Sequence, residues 1–359
     1  MHLTRVKDHA LLLLLLLLFF SGSLQAQTIY PGKHWTVAAH PEDLGLSTAG
    51  IEKAKTYSKE INTEAVMVIV DGQVAAQWGA VDKKFNTHSM RKSFLSALYG
   101  KQVRAGKIDL DASMGDLGID DYGMLSKEEL KATVRDLLKA RSGIYHPALY
   151  ESAGMKRKKP ERFSERAGTH WYYNNWDFNV AGYIYEKQSG VEIFDAIEKE
   201  LAAPIGMEDY SAADGRYVDG KASKYRAYPF RVTARDLARF GWLMLNDGRW
   251  EGKQVIDSAW VRESTRYHSD AALYGSSGYG YMWWVARDYN KYPHFRYAKV
   301  PEGTYSARGS GGHYLVVIPD YNMVVVHRVN TDIRGNTVTG SQFGKLLKLI
   351  LDSRMDKKP

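Results

Sequence analysis

Residues 65–78 read Ala-Val-Met-Val-Ile-Val-Asp-Gly-Gln-Val-Ala-Ala-Gln-Trp, two apolar runs on either side of an Asp-Gly pair. This arrangement is a strong local signal for a β-hairpin, because Asp and Gly accept the positive φ angles of a two-residue turn. Near the other end of the chain, Tyr314–Ile318 and Met323–Val329 flank Pro-Asp-Tyr-Asn and predict a second hairpin. The sequence therefore predicts strands near both of its ends.

Between the two hairpins the pattern of apolar residues becomes mostly helical. One helix is expected directly after Ser89. The other helical segments are Lys127–Ala140, Asn179–Gln188, Glu192–Ala202 and Thr233–Leu245. A last helix has an apolar face made of Phe343, Leu346, Leu347, Ile350 and Leu351. Together these segments predict an α+β fold, with one antiparallel sheet formed from the N- and C-terminal strands, flanking helices, and a mainly helical inserted lobe at roughly 105–230.

The N-terminus has the pattern of an export signal. Basic residues precede an apolar run from Ala10 to Phe20, and small residues follow it up to Ala26. We expect a signal peptide at 1–26 that is cleaved after Ala26, leaving 27–359 as a single domain in the periplasm or outside the cell. The run is shorter than the roughly 20 residues of a membrane-spanning helix, so no stable membrane anchor is expected. A retained anchor is the alternative interpretation.

Composition narrows the range of partners. The chain has 359 residues, a formal net charge of +8 and no cysteine, which excludes disulfides and cysteine-linked lipids. Its basic cluster at 156–159 predicts a solvated loop. The sequence contains neither a basic helix nor an array of alternating aromatic and basic residues, so no nucleic-acid partner is expected. The eleven histidines lack metal-ligand spacing, and no G-x-S-x-G elbow is present. We therefore expect neither a metal nor another cofactor.

The segment His-Ser-Met-Arg-Lys at 88–92 carries the first chemical motif. Ser89 and Lys92 are three positions apart, so on a helix they share one face and the amine can reach the hydroxyl. A serine hydroxyl becomes a nucleophile when a neighbouring base takes its proton, and burial lets a lysine be that base. The start of an ordinary amphipathic helix is the alternative interpretation of this motif.

Two further segments contain candidate functional groups. In the aromatic stretch 170–182, a tyrosine precedes an asparagine by two positions twice, as Tyr172 with Asn174 and as Tyr173 with Asn175. Such a pair could shuttle a proton and hold a substrate, although an aromatic core patch would have the same composition. The stretch 306–313 places glycines at the start of a strand, where a ligand can approach the backbone closely, or where a flexible turn can form.

Taken together and in this order, the three segments resemble the serine β-lactamase and penicillin-binding-protein-like superfamily. The resemblance is strongest to the branch of class C β-lactamases, DD-peptidases, esterases and 6-aminohexanoate-oligomer hydrolases, whose signature is S-x-x-K, then Y-x-N, then a Lys/His-x-Gly element on a strand. Leu137–Gly143 is similar to the L-L-T-H-T-S-G segment of these relatives. The resemblance covers most of the chain and implies a β-lactamase/transpeptidase-like fold.

The resemblance also implies roles for individual residues. Ser89 would be the acylated nucleophile and Lys92 its base, while Tyr173 would share the proton transfers and Asn175 would orient the substrate. The pair Tyr173 and Asn175 is preferred over its neighbours because relatives place a glycine seven residues after the asparagine, which matches Gly182.

The third motif departs from the pattern of the superfamily. The resemblance implies an oxyanion hole made of the backbone N–H groups of Ser89 and Ser310, and substrate contacts at Arg308, Gly309, Ser310 and Gly311. Ala-Arg-Gly at 307–309 stands where relatives have Lys-Thr-Gly or His-x-Gly. Because that lysine helps to hold the carboxylate of β-lactams and peptides, its loss argues against β-lactamase or DD-carboxypeptidase activity. The role of Arg308 stays open.

These observations predict an exported serine hydrolase that cleaves an ester or amide bond through a Ser89 acyl-enzyme. Its expected partner is a small-molecule ester or amide, cell-wall-derived compounds included. The segments 146–170 and 268–305 are expected to decide which substrate fits. The alternative function is that of a catalytically inactive penicillin-binding-like fold that acts as a binding or sensing module of the cell envelope.

Overall fold

The computed structural model of the protein describes residues 28–271, 278–288 and 294–355. The predicted signal peptide at 1–26 lies outside these residues, so its cleavage stays a prediction. In the part of the chain that the structure describes, no helix is long and apolar enough to cross a membrane.

The core of the fold is an eight-stranded antiparallel sheet. The strands of the described residues are β1 (Ala65–Val70), β2 (Gln73–Gly79), β3 (Phe85–Asn86), β4 (Arg231–Val232), β5 (Arg249–Trp250), β6 (Lys253–Gln254), β7 (Ser269–Asp270), β8 (Gly278–Tyr279), β9 (Trp284–Val285), β10 (Tyr305–Gly309), β11 (His313–Ile318) and β12 (Met323–Arg328). The order in the large sheet is β2-β1-β12-β11-β10-β9-β8-β7, while β3–β4 and β5–β6 form separate two-stranded ladders. The predicted sheet of N- and C-terminal strands is confirmed, because β1 pairs with β12 along its whole length.

Helices cover both faces of this sheet and form most of the middle of the chain. The α-helices are α1 (Thr48–Ser58), α2 (Arg91–Arg104), α3 (Val134–Leu138), α4 (Ala153–Lys158), α5 (Asn175–Ser189), α6 (Ile193–Ala196), α7 (Ala234–Leu245), α8 (Ser258–Thr265) and α9 (Gly340–Asp352). A π-helical segment, Ile197–Ala202, continues α6. Short 3₁₀ turns occur at Pro41–Leu44, His88–Met90, Glu129–Lys131, Ala212–Asp214 and Pro319–Tyr321.

The central strands are buried on both faces, which explains their nearly continuous apolar sequence. Alternate residues of β1 enter two different cores: Met67 packs on the side of α2 and α7, and Val68 on the side of α1 and α9. Helix α7 approaches the sheet closely at Gly241, where a Cβ would lie 2.6 Å from Val324 Cγ1 and 2.7 Å from Leu315 Cδ1. A glycine at this position therefore allows the helix and the sheet to pack in direct contact.

The chain between β3 and β4 forms the helical part of the molecule. Residues 87–230, all of which are described, fold into helices and loops joined by isolated β-bridges. The β3–β4 ladder, with Phe85 opposite Val232, joins the two ends of this stretch next to the large sheet. Because Ser89 follows β3 directly, the nucleophile candidate lies where the helical part meets the sheet.

Two local predictions were wrong. The segment Lys127–Ala140 was expected to be one helix, but it forms a 3₁₀ turn and then α3, because Thr133 begins a new helix with a capping box to Asp136. The basic cluster at 156–159 was expected to be a solvated loop, whereas Lys156–Lys158 form the last turn of α4. Ser152 caps that helix by accepting a hydrogen bond from the backbone N–H of Met155, a local signal that the sequence contains.

Candidate active site

Ser89 lies in a tight turn between a strand and a helix. The Asn86 side chain accepts a hydrogen bond from the backbone N–H of His88 at 2.9 Å, and His88 itself has φ +46°. A left-handed backbone is unfavourable for a residue with a Cβ and persists where surrounding structure requires it. The 3₁₀ turn His88–Met90 then leads directly into α2, so Ser89 occupies a rigid position at the helix N-terminus.

Lys92 lies directly beneath the serine. Its Nζ is 3.1 Å from Ser89 Oγ and 2.9 Å from the Tyr173 hydroxyl oxygen. The side chain is 1% exposed, and its amine also lies over the rings of Tyr173 and Phe178. Burial, together with the positive charge of Arg91, lowers the pKa of Lys92 well below its ordinary value. The neutral form of the amine, which can accept a proton, is therefore favoured more than it is for an exposed lysine.

Tyr173 completes a connected group of three polar atoms. It precedes α5 and packs against Trp284, with ring centroids 5.4 Å apart in a stacked arrangement. Burial raises the pKa of Tyr173 to about 12, while a hydrogen bond with Ser89 and the charge of Arg91 act in the opposite direction. The phenol is thus protonated in the resting protein, and it lies within hydrogen-bond reach of both partners.

The side chains of the neighbouring Tyr172 and Asn174 form hydrogen bonds that stabilise the fold. The Tyr172 hydroxyl donates to the carbonyl of Met155 at 2.8 Å, and the Asn174 amide donates to the carbonyl of Ile144 at 2.7 Å. Asn174 also caps α5 by accepting a hydrogen bond from the backbone N–H of Trp176. Of the two tyrosines that the sequence offered, Tyr173 is therefore the one that reaches Lys92.

Asn175 lies close to this group but does not line the cavity above it. It is 2% exposed, and its amide nitrogen donates to the carbonyl of Tyr150 at 2.7 Å. Its side-chain oxygen is buried without a hydrogen-bond partner among the described residues. Asn175 was expected to contact the substrate, but it is not among the residues that line the cavity.

A cavity of about 330 Å³ opens above Ser89. Five of its lining residues were candidates from the sequence: Ser89, Tyr173, Arg308, Gly309 and Ser310. The other five are Ser152, Gly154, Met155, Lys158 and Trp284, of which the last belongs to the aromatic run 279–284, where the sequence left open a substrate pocket or a core strand. All five fall within the two segments expected to govern substrate choice. The four residues of α4 and its cap could have been found from the sequence through the capping signal of Ser152. Residues of α4 and β9 thus line the same cavity as the nucleophile.

Strand β10 brings the third motif against the serine turn. A Cβ on Gly309 would lie 2.7 Å from the carbonyl oxygen of Thr87, so a glycine is needed for this close approach. Gly311 has φ +89° in the β10–β11 turn and accepts a hydrogen bond from the backbone N–H of Val338. Gly309 and Ser310 line the cavity, whereas Gly311 shapes the turn behind it.

Arg308 lines the cavity while its guanidinium is anchored on the protein side. It donates to the carbonyl of His294 at 2.9 Å and to Ser306 Oγ at 3.0 Å, and it lies over the rings of Trp284 and Phe295. Burial lowers the pKa of Arg308 to about 10. The arginine therefore contributes a positively charged group to the cavity wall, one position after Ala307, which stands where relatives have the third-motif lysine.

Comparisons with known proteins identify the family and the fold of this chain. The Beta-lactamase family model matches residues 49–340. Glutaminase 2 of Clostridium perfringens is 23% identical over 292 residues, which is 80% of this chain and 86% of that protein. A protein assigned as a 6-aminohexanoate-dimer hydrolase from Bacillus anthracis superposes with a TM-score of 0.63 at 19% identity, covering 89% of this chain and 86% of that one.

A class C β-lactamase structure has the same fold. It superposes with a TM-score of 0.61 at 20% identity and covers 89% of this chain and 96% of its own. At such low identity, the two solved structures establish a common fold, while the family match extends over more than half of the chain. The chain therefore belongs to the Beta-lactamase family, and its fold is that of the serine β-lactamase and penicillin-binding-protein-like hydrolases.

Proposed function

We propose that this protein is a serine hydrolase that cleaves an ester or amide bond through an acyl-enzyme on Ser89. The observation that carries the proposal is the position of the Lys92 amine, 3.1 Å from Ser89 Oγ and 2.9 Å from the Tyr173 hydroxyl, at a site where burial disfavours its charged form. A nucleophile, a base and a second proton carrier in contact are the groups that acyl transfer requires.

In the first half of the reaction, Lys92 Nζ takes the proton from Ser89 Oγ as the oxygen attacks the carbonyl carbon of the substrate. The bond from carbon to the leaving oxygen or nitrogen then breaks, and the leaving group takes a proton from Tyr173, which is replenished from Lys92. Backbone N–H groups of Ser89 and Ser310 would stabilise the negative charge on the carbonyl oxygen. The products are an acylated Ser89 and a free alcohol or amine.

In the second half, water attacks the acyl carbon and loses a proton to the same pair of groups. The bond to Ser89 Oγ breaks, and the serine regains its proton. The substrate would lie in the cavity lined by α4 and β10, and the absence of the third-motif lysine makes β-lactams and D-alanyl peptides poor candidates for the substrate.

We further propose that the enzyme acts in the periplasm or outside the cell. The apolar run Ala10–Phe20 with small residues up to Ala26 supports export and cleavage, and the lack of cysteine means that the exported domain relies on its packed core for stability. Cell-wall-derived esters and amides would be accessible to an enzyme in that compartment.

The test is the intact mass of the protein after incubation with a reactive fluorophosphonate. We expect a single adduct on the wild type and none on Ser89→Ala. The matched control is Ser93→Ala, because Ser93 is a buried serine in the first turn of α2 whose hydroxyl donates to the carbonyl of Met282. Ser93→Ala should keep the adduct. A wild type that forms no adduct would favour the inactive binding module, and an adduct that persists in Ser89→Ala would assign the reactivity to another residue.

A further inference from the structure

Arg91 is a buried cation directly beside the catalytic group. It stands between Ser89 and Lys92 in the sequence, and its side chain is 1% exposed. Its guanidinium lies over the rings of Tyr150 and Tyr228, at 5.2 and 5.0 Å from the ring centroids. Among the described residues, no carboxylate lies within salt-bridge distance of it, and Nε and Nη2 have no hydrogen-bond partner.

This arrangement is energetically unfavourable for the scaffold. A buried charge without a counter-ion is unfavourable, because it loses its hydration and gains no partner of opposite charge. Two aromatic faces recover part of the cost through cation–π attraction. A purely structural position would be filled better by an apolar side chain of similar length, so the charge itself requires an explanation.

The charge acts on the two proton carriers of the site. The titratable and charged groups around Lys92 are Ser89 and Arg91 from its own segment and Tyr173 from the segment before α5. The positive charge of Arg91 lowers the pKa of Lys92, and it also lowers that of Tyr173 against the effect of burial. Both effects favour a neutral amine and a phenol that can release its proton.

Arg91 also contacts the turn that carries the nucleophile. Its Nη1 donates to the carbonyl of His88 at 3.2 Å. His88 has the left-handed backbone that precedes Ser89, so this hydrogen bond stabilises an otherwise unfavourable conformation. One guanidinium is thereby connected to both the position of the serine and the charge state of its base.

We propose that Arg91 is a positioning residue for the Ser89–Lys92 pair: its permanent charge keeps the neighbouring amine free to accept the serine proton, and its bond to His88 holds the serine turn. The inference rests on the proposed function. It adds a group that acts through Lys92 and sets the pH range in which the enzyme works.

The test is the pH dependence of Ser89 acylation by a fluorophosphonate, measured as a rate by intact mass between about pH 5 and 10. In the wild type the rate rises as Lys92 loses its proton. In Arg91→Met the midpoint of this rise moves to higher pH by about one unit, because removal of a nearby positive charge stabilises the protonated amine. Above the midpoint, the rate of Arg91→Met stays below that of the wild type, because the hydrogen bond from Arg91 to the His88 carbonyl is lost. Arg91→Lys, which keeps a charge, shifts less.

The control is Arg104→Met, the same substitution at an exposed arginine of α2 whose guanidinium pairs with Asp257. It should leave the midpoint unchanged. If Arg91→Met does not fold, as judged by circular dichroism, Arg91→Gln takes its place with the same expected shift. A uniform loss of rate at every pH with an unchanged midpoint would overturn the inference. A wild type that is not acylated at any pH would instead overturn the proposed function.

Discussion

At the scale of single residues, the chemistry of this protein depends on one buried amine. A lysine on an exposed helix face would be protonated at neutral pH and could not take the serine proton. Lys92 is enclosed by Tyr173, Phe178 and Arg91, and these neighbours remove water and add a like charge. The S-x-x-K spacing therefore supplies the contact with Ser89, while the surroundings supply the basicity.

The two adjacent tyrosines allow a direct test of the Tyr173 assignment. We expect Tyr173→Phe to slow the acylation of Ser89 about 100-fold, because Lys92 loses its hydroxyl partner and the leaving group its proton donor. Tyr172→Phe removes the hydroxyl bonded to the Met155 carbonyl and should slow the reaction less than about tenfold, at a stability loss of about 1 kcal/mol. Fluorophosphonate labelling rates measure both. Equal losses in the two variants would contradict the assignment of Tyr173 to proton transfer.

At the scale of elements, the site depends on how closely α5 packs against the segment before β4. Gly182 faces Tyr228, and a Cβ there would lie 2.8 Å from Tyr228 Cε1 and 3.2 Å from Ile193 Cδ1. The same tyrosine ring stacks on Arg91. The glycine that supported the choice of Tyr173 in the sequence is therefore a packing requirement of α5, connected to the site through Tyr228.

We expect Gly182→Ala to lower the free energy of unfolding by about 1 to 2 kcal/mol, because overpacking outweighs the gain in helix propensity of about 1 kcal/mol. The matched control is Gly154→Ala in α4, where the nearest atom to an added Cβ is Ser152 Oγ at 3.8 Å. That variant should be as stable as the wild type or slightly more stable. Urea unfolding measures both, and a Gly182→Ala protein as stable as Gly154→Ala would refute the packing argument.

At the scale of the whole molecule, two buried histidines of the sheet, His313 and His327, and the half-buried His88 connect the sheet to the serine turn. His327 on β12 contacts the Gly312 carbonyl and Thr63 Oγ1, and the His88 and His313 rings lie 5.2 Å apart. Burial lowers the pKa of His88 and of His327 to about 4, and it lowers the pKa of His313 well below its ordinary value. All three are therefore neutral in the folded protein at neutral pH.

These histidines predict a loss of stability in acid. The pKa of His327 is near 6.5 in the unfolded chain and about 4 in the folded protein, so between these pH values the unfolded chain binds a proton that the folded protein does not. The contribution of His327 to the free energy of unfolding is therefore complete above pH 6.5 and falls as the pH drops towards 4. Asp236 has the opposite effect on the pH dependence of stability. Burial raises its pKa to about 6, so its contribution to the free energy of unfolding is lost as the pH rises through 6.

A variant comparison isolates the contribution of His327. We expect the difference in unfolding free energy between pH 7 and pH 5 to shrink in His327→Gln by on the order of 1 to 2 kcal/mol, measured by urea denaturation. His40→Gln, at an exposed histidine, is the control and should leave the difference unchanged. An unaltered difference in His327→Gln would mean that this imidazole keeps its ordinary pKa in the folded protein.

The sequence by itself determined the features that depend on residues close together in the chain, namely turns, helices and the contact between Ser89 and Lys92. The Asp-Gly turn predicted the β1–β2 hairpin, the apolar periodicity predicted α5, α7 and α9, and the i, i+3 spacing predicted that Ser89 and Lys92 would share a helical face. The helix expected over 127–140 failed for a reason that is also local, since the Thr133 cap begins a separate helix inside that pattern.

Only the tertiary structure decided which residues surround the nucleophile. The position of Gly182 favoured Tyr173 over Tyr172 in the sequence, but the contact of the Tyr173 hydroxyl with Lys92, across 81 positions, comes from the tertiary structure. The wall formed by α4, the anchoring of Arg308 and the burial of Arg91 likewise come from segments far apart in the chain. Burial and distant contacts set the pKa of a side chain, and no local pattern encodes them.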